Sequence, residues 1–259
     1  EQSFGANVPA FSAEKIFKEF EVHLKKLKPY IRDTPLLVNQ MIEEGKNILF
    51  EGAQGTFLDV DHGTYPFVTS SNTIAGGACA GVGIGPTRIT DVLGIVKAYT
   101  TRVGSGPFPT ELLDSYGELL QSEGHEFGAT TGRPRRCGWF DALLVRQAVR
   151  LNGITSMAVM KLDVLDKFET LKIAVGYRSS NGEFRDNLPR SLENVTPVYE
   201  EMPGWQCSSE GITEYAQLPS EMLAYLERMS ELVGAKVSII STGPKREETI
   251  VLNPDQFWI

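Results

Sequence analysis

Positive charge is concentrated in one glycine- and threonine-rich segment, residues 128–140 (GATTGRPRRCGWF), of a chain whose net charge is −8. Arg133, Arg135 and Arg136 can form bidentate hydrogen bonds with carboxylate or phosphate groups. Three neighbouring guanidinium groups repel one another unless an anion offsets their charge. A solvated basic loop is the alternative interpretation. The spacing favours an anion-binding loop, which Pro134 would stiffen before a ligand arrives.

A second candidate site is the pair Lys161 and Asp163, two residues apart at the end of an apolar run. Many GTP-binding proteins read guanine with such a pair. The aspartate accepts hydrogen bonds from N1 and the 2-amino group of the base, and the lysine stem packs on the ring. Adenine offers neither donor in that arrangement, so the aspartate would select guanine. The alternative is a surface ion pair, because a KxD sequence is common.

Three further loops carry polar groups that could contact a nucleotide. Gln54 lies between glycines in GAQGT and has an amide that could read a base edge, although a tight turn with a solvated glutamine gives the same pattern. Residues 65–73 (YPFVTSSNT) offer hydroxyls for a phosphate or for capping a helix. Residues 241–244 (STGP) could close over the base, although alone they indicate only a turn.

The elements that must position these loops follow from hydrophobic periodicity. Helices are predicted over 12–27, with Ser12 as N-cap, 34–45, with Thr34 as cap, 141–151 and 219–233. Strands are predicted over 47–51, 92–99, 155–162, 236–240 and 248–252. A hairpin is predicted between residues 171–177 and the segment after Phe184, with its turn at residues 179–182. This alternation predicts an α/β fold with a mostly parallel central sheet, flanking helices and a small antiparallel hairpin region. Ligands bind beyond the C-terminal strand ends of such sheets, which directs attention to the loops after 51, 101, 161 and 240.

Composition excludes several functional classes. The acidic charge argues against nucleic-acid and anionic-membrane partners, and no apolar run is long enough to span a membrane. Three cysteines without a CxxC pair and three histidines predict no zinc site, and reduced thiols are typical of a cytoplasmic protein. The chain begins at Glu1 without an initiator methionine, from which we expect processing or a piece of a longer protein.

Six segments together resemble adenylosuccinate synthetase, and the resemblance covers essentially the whole chain. They are EGAQGTFLDVDHGTYPFVTSSNT (51–73), YTTRVGSGPFPTEL (99–112), EFGATTGRPRRCGWFDALLVR (126–146), KLDVLD (161–166), MPGW (202–205) and STGP (241–244). The resemblance implies that residues 1–259 are the C-terminal three-fifths of a single α/β domain, distantly similar to P-loop NTPases. It also implies a homodimer that ligates IMP and L-aspartate with GTP and Mg2+, through 6-phosphoryl-IMP.

The resemblance also implies a role for individual residues. Gln54 would stabilise 6-phosphoryl-IMP, with Thr69 on the IMP 5′-phosphate and the backbone at Val103 on the ribose. The aspartate-binding loop would comprise Gly128, Ala129, Thr130, Thr131, Gly132 and Arg133. The GTP-binding residues would be Arg135, Lys161, Leu162, Asp163, Ser241, Thr242 and Gly243. Pro134 and Arg136 receive no role.

The sequence departs from the family in one large respect. The family's glycine-rich phosphate loop, its catalytic aspartate and histidine, its Mg2+ ligands and the arginine that reaches the neighbouring subunit have no counterpart here. Asp61 and His62 lie in a matching segment but are not that catalytic pair. We therefore expect residues 1–259 alone to be inactive and to contain no metal ligands. The alternatives are a non-catalytic, truncated nucleotide-binding module and an unrelated guanine-nucleotide-binding protein that shares the KLD element.

Overall fold

The computed structural model describes residues 11–128 and 132–252, and in these ranges the chain forms six α-helices and ten β-strands. The helices are α1 (Ala13–Leu27), α2 (Thr34–Glu43), α3 (Gly76–Val82), α4 (Ser115–Glu123), α5 (Ala142–Asn152) and α6 (Ser220–Val233). The strands are β1 (Leu93–Lys97), β2 (Thr100–Arg102), β3 (Arg136–Gly138), β4 (Phe140–Asp141), β5 (Ser156–Met160), β6 (Thr170–Ser179), β7 (Gly182–Phe184), β8 (Thr196–Pro203), β9 (Lys236–Ser241) and β10 (Thr249–Val251). The chain divides into two compact units, one of residues 11–48 and 82–84 and one of the remainder.

The smaller unit contains α1 and α2, and the N-cap of each can be assigned. Ser12 caps α1 as predicted, because its Oγ accepts a hydrogen bond of 3.2 Å from the backbone of Lys15. The cap of α2 is Asp33 and not Thr34, which corrects the sequence prediction. The Asp33 carboxylate accepts from the backbone N–H of Leu36 at 3.1 Å, so Thr34 becomes the first helical residue.

The predicted strand over residues 47–51 is wrong. These residues adopt no regular structure, and the side chain of Leu49 is 86% exposed. A strand is held by hydrogen bonds to a neighbouring strand, and nothing in the described part of the chain pairs with this segment. The apolar run therefore fulfils the local pattern of a buried strand without the tertiary partner that the pattern requires.

The larger unit is built on a four-stranded sheet in the order β1-β5-β9-β10. Strands β1, β5 and β9 run parallel, and β10 is antiparallel to β9, so the prediction of a mostly parallel sheet is confirmed. Helix α6 buries Met222, Tyr225 and Met229 in the core, and the Tyr225 hydroxyl donates to the Ala98 carbonyl oxygen at 2.8 Å. This packing fixes the segment that follows β1.

An antiparallel region surrounds β6, which pairs with β7 and β8 and runs parallel to β4. The predicted hairpin is confirmed, and its turn uses Gly182 at φ +116°. Strand β8 was not predicted from the sequence. Its second and last residues are prolines, Pro197 and Pro203, which weaken the strand pattern. Strands β2 and β3 form a separate two-stranded sheet.

Parallel pairing brings the C-terminal ends of β1, β5 and β9 to one edge of the sheet. Lys97 is in register with Met160, and the backbone N–H of Ala98 donates to the Met160 carbonyl oxygen at 2.9 Å. Lys97, Lys161 and Ser241 thus lie at the edge where ligands bind in α/β sheets. No helix in the described ranges is long and apolar enough to cross a membrane.

Candidate functional site

A fully buried carboxylate, Glu126, lies at the centre of a basic cluster. Its Oε1 accepts hydrogen bonds from Lys97 Nζ at 2.7 Å and from the Tyr99 hydroxyl at 2.5 Å, and its Oε2 accepts from Arg135 at 2.7 Å. Lys161 Nζ is 4.0 Å from the same carboxylate and donates to the Gly124 carbonyl oxygen at 2.6 Å. Three cationic side chains therefore share one anionic partner.

The electrostatics of this cluster follow from burial opposed by hydrogen bonds. Burial alone would raise the pKa of Glu126, but the donors on Lys97, Tyr99 and Arg135 hold that pKa below its ordinary value. Burial lowers the pKa of Lys97, against the attraction of Glu126. With Glu126 ionised, its single negative charge is shared by three cationic side chains, so positive charge is in excess around this carboxylate. An excess of positive charge can attract a polyanion, which is the chemistry that the sequence predicts for Arg135.

The predicted anion-binding loop is closed at its base by Glu126 and Arg135. The backbone N–H of Arg135 donates to the Glu126 carbonyl oxygen at 2.8 Å, and that of Gly128 donates to the Arg133 carbonyl oxygen at 2.8 Å. Gly132 has φ +64° and Arg133 is exposed. Ala129, Thr130 and Thr131, which the sequence predicts to bind aspartate, lie outside the described residues. The loop thus presents Arg133 to solvent from a base fixed by the basic cluster.

Asp163 faces a cleft of about 600 Å3 beside this cluster. Thr242 and Gly243 line the same cleft, together with Gln206 and Cys207. Burial raises the pKa of Asp163, and the neighbouring Lys161 opposes that shift. The structure therefore brings together three residues that the sequence predicts to contact guanine, and Lys161 connects them to the basic cluster.

The hydroxyls of the STGP segment point into the protein. The Ser241 hydroxyl donates to the Gly243 carbonyl oxygen at 2.8 Å, and that of Thr242 donates to the Ile212 carbonyl oxygen at 2.8 Å. The side chain of Leu162 is fully buried in the core. The groups that these residues can offer to a ligand in the cleft are therefore mainly backbone groups.

One side of the cleft is organised by Asp166, for which the sequence predicts no role. Its carboxylate accepts hydrogen bonds from the Trp205 indole at 2.6 Å and from the backbone and hydroxyl of Ser209 at 2.7 and 2.9 Å. The MPGW segment thereby acquires a structural role. Its tryptophan fixes the loop that contains Gln206 and Cys207, which line the cleft together with Asp163.

Gln54 and Thr69 lie in a loop organised by a second buried carboxylate, Asp59. The Asp59 oxygens accept from the backbone N–H groups of Asp61, His62, Thr73 and Ile74 at 2.7–3.2 Å. Burial would raise the pKa of Asp59, but these four hydrogen bonds lower it to about 2. Gln54 is exposed at the start of this loop, and Thr69 is held by a hydrogen bond from its backbone N–H to the Leu58 carbonyl oxygen at 2.7 Å.

Val103 lies on the exposed turn after β2, and two arginines brace that turn. Arg102 donates to the Thr64 hydroxyl at 3.0 Å, which connects the turn to the loop of Thr69. Arg136, to which the sequence gave no role, forms an ion pair with Glu111 and donates to the Gly106 carbonyl oxygen at 2.9 Å. It is therefore a structural arginine, whereas Arg133 and Arg135 belong to the candidate site.

Backbone conformation independently marks the same places. Five non-glycine residues in the described ranges have positive φ, and four of them belong to these loops: Gln54, His125, Lys161 and Gln206. Each such conformation costs on the order of 1 kcal/mol and persists where the surrounding structure holds it. Strained backbone of this kind is concentrated at binding sites, which supports the assignment of these loops.

Comparison with known proteins decides the family. The family model described as adenylosuccinate synthetase matches residues 1–250. The chain belongs to the adenylosuccinate synthetase family. It is 55% identical over 248 residues to the adenylosuccinate synthetase of Geotalea uraniireducens, covering 94% of this chain and 57% of that protein. The adenylosuccinate synthetase of Heliobacterium modesticaldum is also 55% identical, with 95% of this chain and 58% of that protein covered.

A solved structure of the family confirms the fold. The structure described as fully ligated adenylosuccinate synthetase from Plasmodium falciparum superposes with a TM-score of 0.90 at 37% identity. The match covers 95% of this chain and 59% of that one. This chain therefore spans somewhat more than half the length of the family members it matches.

The Mg2+ that the family resemblance implies has no ligand set in the described residues. No group of three or more His, Cys, Asp or Glu side chains across 11–128 and 132–252 is arranged to hold a metal ion. Asp59 and Glu126, the two buried carboxylates at the site, already accept hydrogen bonds on both oxygens. These residues therefore do not fit the metal site that the family resemblance implies.

Proposed function

We propose that this chain is the C-terminal three-fifths of an adenylosuccinate synthetase, which joins IMP and L-aspartate in a GTP-dependent reaction. In that reaction the γ-phosphoryl group of GTP passes to the 6-oxygen of IMP. The amine of aspartate then forms a bond to C6, and the C6–O bond breaks to release phosphate. The family match over residues 1–250 supports this proposal. The proposed homodimer and cytoplasmic location rest on the family resemblance.

The observation that carries the proposal is the position of the basic cluster next to the Asp163 cleft. Guanine in the cleft would donate from N1 and the 2-amino group to Asp163, while Thr242 and Gly243 cover the ring. The phosphates would then extend toward Lys161 and Arg135, which share the carboxylate of Glu126 with Lys97. One ligand that contains a guanine and several phosphates fits both features.

The remaining roles are proposed from the family resemblance, and the geometry of the loops is compatible with them. Arg133, exposed at the end of the closed loop, would bind a carboxylate of L-aspartate, helped by Gly128, Gly132 and the three intervening residues. Gln54 would contact the 6-oxygen region of IMP. Thr69 would hold its 5′-phosphate, with the ribose against Val103. Arg102 supports this grouping, because its hydrogen bond to Thr64 joins the Val103 turn to the Thr69 loop.

Calorimetric titration of GTP, GDP, ATP and IMP into the 259-residue chain tests the proposal. We expect the guanine nucleotides and IMP to bind and ATP to bind much more weakly. Asp163→Asn should weaken GDP binding by about 10- to 100-fold, since a lost hydrogen bond to a charged group is worth about 1.5–3 kcal/mol. The same variant should gain affinity for xanthosine diphosphate, because an asparagine amide can donate to the 2-oxygen of xanthine.

Glu118→Gln is the matched control, since it removes one negative charge from the exposed surface of α4. It should change GDP affinity by less than about threefold. Unaltered base preference in Asp163→Asn would refute the guanine assignment. Formation of adenylosuccinate by the 259-residue chain alone would refute the expectation that it is inactive. Binding of nucleotides without IMP would favour the non-catalytic binding module.

A further inference from the structure

Glu126 is placed to control the geometry of the basic cluster and not only its charge. Its carboxylate is fully buried, whereas the side chains of Lys97, Arg135 and Lys161 are 26%, 30% and 36% exposed. The carboxylate therefore lies beneath the three cations and the cations face solvent. A ligand that approaches the cluster meets the cations and cannot contact Glu126 directly.

The two carboxylate oxygens have separate partners. Oε1 accepts from Lys97 at 2.7 Å and from Tyr99 at 2.5 Å, and Oε2 accepts from Arg135 at 2.7 Å. Lys97 is fixed by a second hydrogen bond, to the Thr101 hydroxyl at 2.8 Å. In the described residues Glu126 is the one side chain to which the Arg135 guanidinium donates. The orientation of Arg135 thus depends on Oε2 of Glu126.

We propose that Glu126 is a positioning residue for the nucleotide phosphates, because its carboxylate holds the Arg135 guanidinium in place within the basic cluster. This inference rests on the proposed function, because it takes the phosphates of a guanine nucleotide as the ligand of Arg135. Glu126 acts through Arg135 and touches neither the base nor the reacting atoms. Its backbone carbonyl oxygen also accepts from the Arg135 N–H at 2.8 Å, which closes the anion-binding loop independently of the side chain.

Glu126→Gln separates positioning from charge. The amide of glutamine has one accepting oxygen, so it can serve Lys97 and Tyr99 or Arg135, and its NH2 group must face the other side. The first choice keeps two hydrogen bonds and releases Arg135. The substitution also makes the cluster one unit more positive. If Glu126 only neutralised charge, Glu126→Gln should bind GTP as tightly as the unmodified chain or more tightly. If Glu126 positions Arg135, the variant should bind GTP more weakly.

The control is Glu111→Gln, which disturbs a similar ion pair on the neighbouring arginine. In this variant Arg136 keeps its hydrogen bonds to the Gly104 and Gly106 carbonyl oxygens at 3.1 and 2.9 Å. Neither Glu111 nor Arg136 is assigned to the site. It should leave GTP affinity within about threefold of the unmodified chain. Both glutamine variants remove one carboxylate charge, so a general effect of charge would appear in both.

The experiment is calorimetric titration of the 259-residue chain with GTP and with guanosine, which has no phosphate. In Glu126→Gln we expect GTP affinity to fall at least 10-fold while guanosine affinity stays within about threefold, because Asp163 is not disturbed. Equal losses for both ligands would show that Glu126 only supports the fold, and unchanged GTP affinity would show that it does not position Arg135. Either result overturns the inference.

A double-mutant cycle completes the test, since it depends on coupling and not on the size of either effect. If Glu126 acts through Arg135, the double variant Glu126→Gln/Arg135→Ala should bind GTP as weakly as Arg135→Ala and no more weakly. Additive losses would overturn the inference. An unmodified chain that binds neither GTP nor guanosine would instead refute the proposed function, and the two failures are thus distinguishable.

Discussion

Asp59→Asn should destabilise the loop of Gln54 and Thr69 by an amount that the structure allows to be calculated. The Asp59 carboxylate is fully buried and accepts four backbone hydrogen bonds, two on each oxygen. Asparagine keeps one accepting oxygen and presents an NH2 group to the other two N–H groups. Two hydrogen bonds to a charged acceptor are lost, and donors face donors.

The magnitude follows from the pKa of Asp59. The fall from 3.8 to about 2 corresponds to about 2.5 kcal/mol of stabilisation of the carboxylate at neutral pH. Since the folded-state pKa lies below the unfolded-state value, this stabilisation is complete above about pH 5 and is lost as the pH falls toward 2. At pH 3 about half of it remains. The difference between the variant and the parent should decrease by the same proportion.

Hydrogen exchange of the Val60 and Thr69 amides provides the assay. These amides donate to the Ser71 and Leu58 carbonyl oxygens, so they report on opening of the loop without contacting Asp59. At pH 7 their exchange should accelerate by about 60-fold in Asp59→Asn, which is the rate equivalent of about 2.5 kcal/mol.

Asp61→Asn is the control for this prediction, because Asp61 is exposed in the same loop. Its carboxylate accepts from Asn72 at 2.6 Å, and its replacement should cost about 0.5 kcal/mol. Similar exchange rates in the two variants, or an effect of Asp59→Asn that does not change between pH 7 and pH 3, would refute the role assigned to the ionised carboxylate.

Two other substitutions test the core of the larger unit. Burial raises the pKa of Asp141 to about 6 despite a hydrogen bond from Tyr177, so the stability that this group contributes is full below pH 3.8 and is lost as the pH rises through 6. The free energy of unfolding of Asp141→Asn, relative to that of the parent, should therefore rise by about 2 kcal/mol between pH 4.5 and pH 8. Urea titration at both pH values measures this, and a difference between variant and parent that is the same at both would contradict the prediction. Gly204→Ala would place a Cβ 1.8 Å from the Phe168 carbonyl oxygen and should lower that free energy by more than about 3 kcal/mol, and a loss below 1 kcal/mol would show that the loop relaxes freely.

The sequence predicted those elements of the fold whose local sequence signals are also satisfied by tertiary contacts. Helix α6 has an apolar stripe and ends at Gly234, and the Asn-Gly turn before β7 is a local signal that the structure keeps. Residues 47–51 show the limit of this reasoning. Their apolar run satisfies the strand pattern, but pairing with a neighbour is a tertiary property that composition and periodicity do not contain.

The candidate site was predictable to the level of loops but not to the level of the side chains that organise them. The rule that ligands bind at strand ends selected the loops of Gln54, Lys161 and Ser241. Applied to the end of β1, the same rule also selects Lys97, which lies outside the loops after residues 51, 101, 161 and 240. Lys97 and Tyr99 are two residues apart at a strand end, and this spacing was the signal that could have found them.

The strand-end rule could not predict the roles of Asp59, Glu126 and Asp166. In a chain with many acidic residues, the sequence does not distinguish a buried carboxylate from one on the solvated surface. Each instead accepts hydrogen bonds from donors that the fold brings beside it, among them Lys97 for Glu126, Thr73 for Asp59 and Trp205 for Asp166. A cluster of cations that must stay empty until an anion arrives needs a permanent counter-charge to be stable in the free protein. A basic loop such as residues 128–136 therefore predicts a buried carboxylate close by. Glu126 is the natural candidate because it lies directly before this loop. The backbone hydrogen bond between Arg135 and Glu126 that closes the loop also brings the two side chains close together.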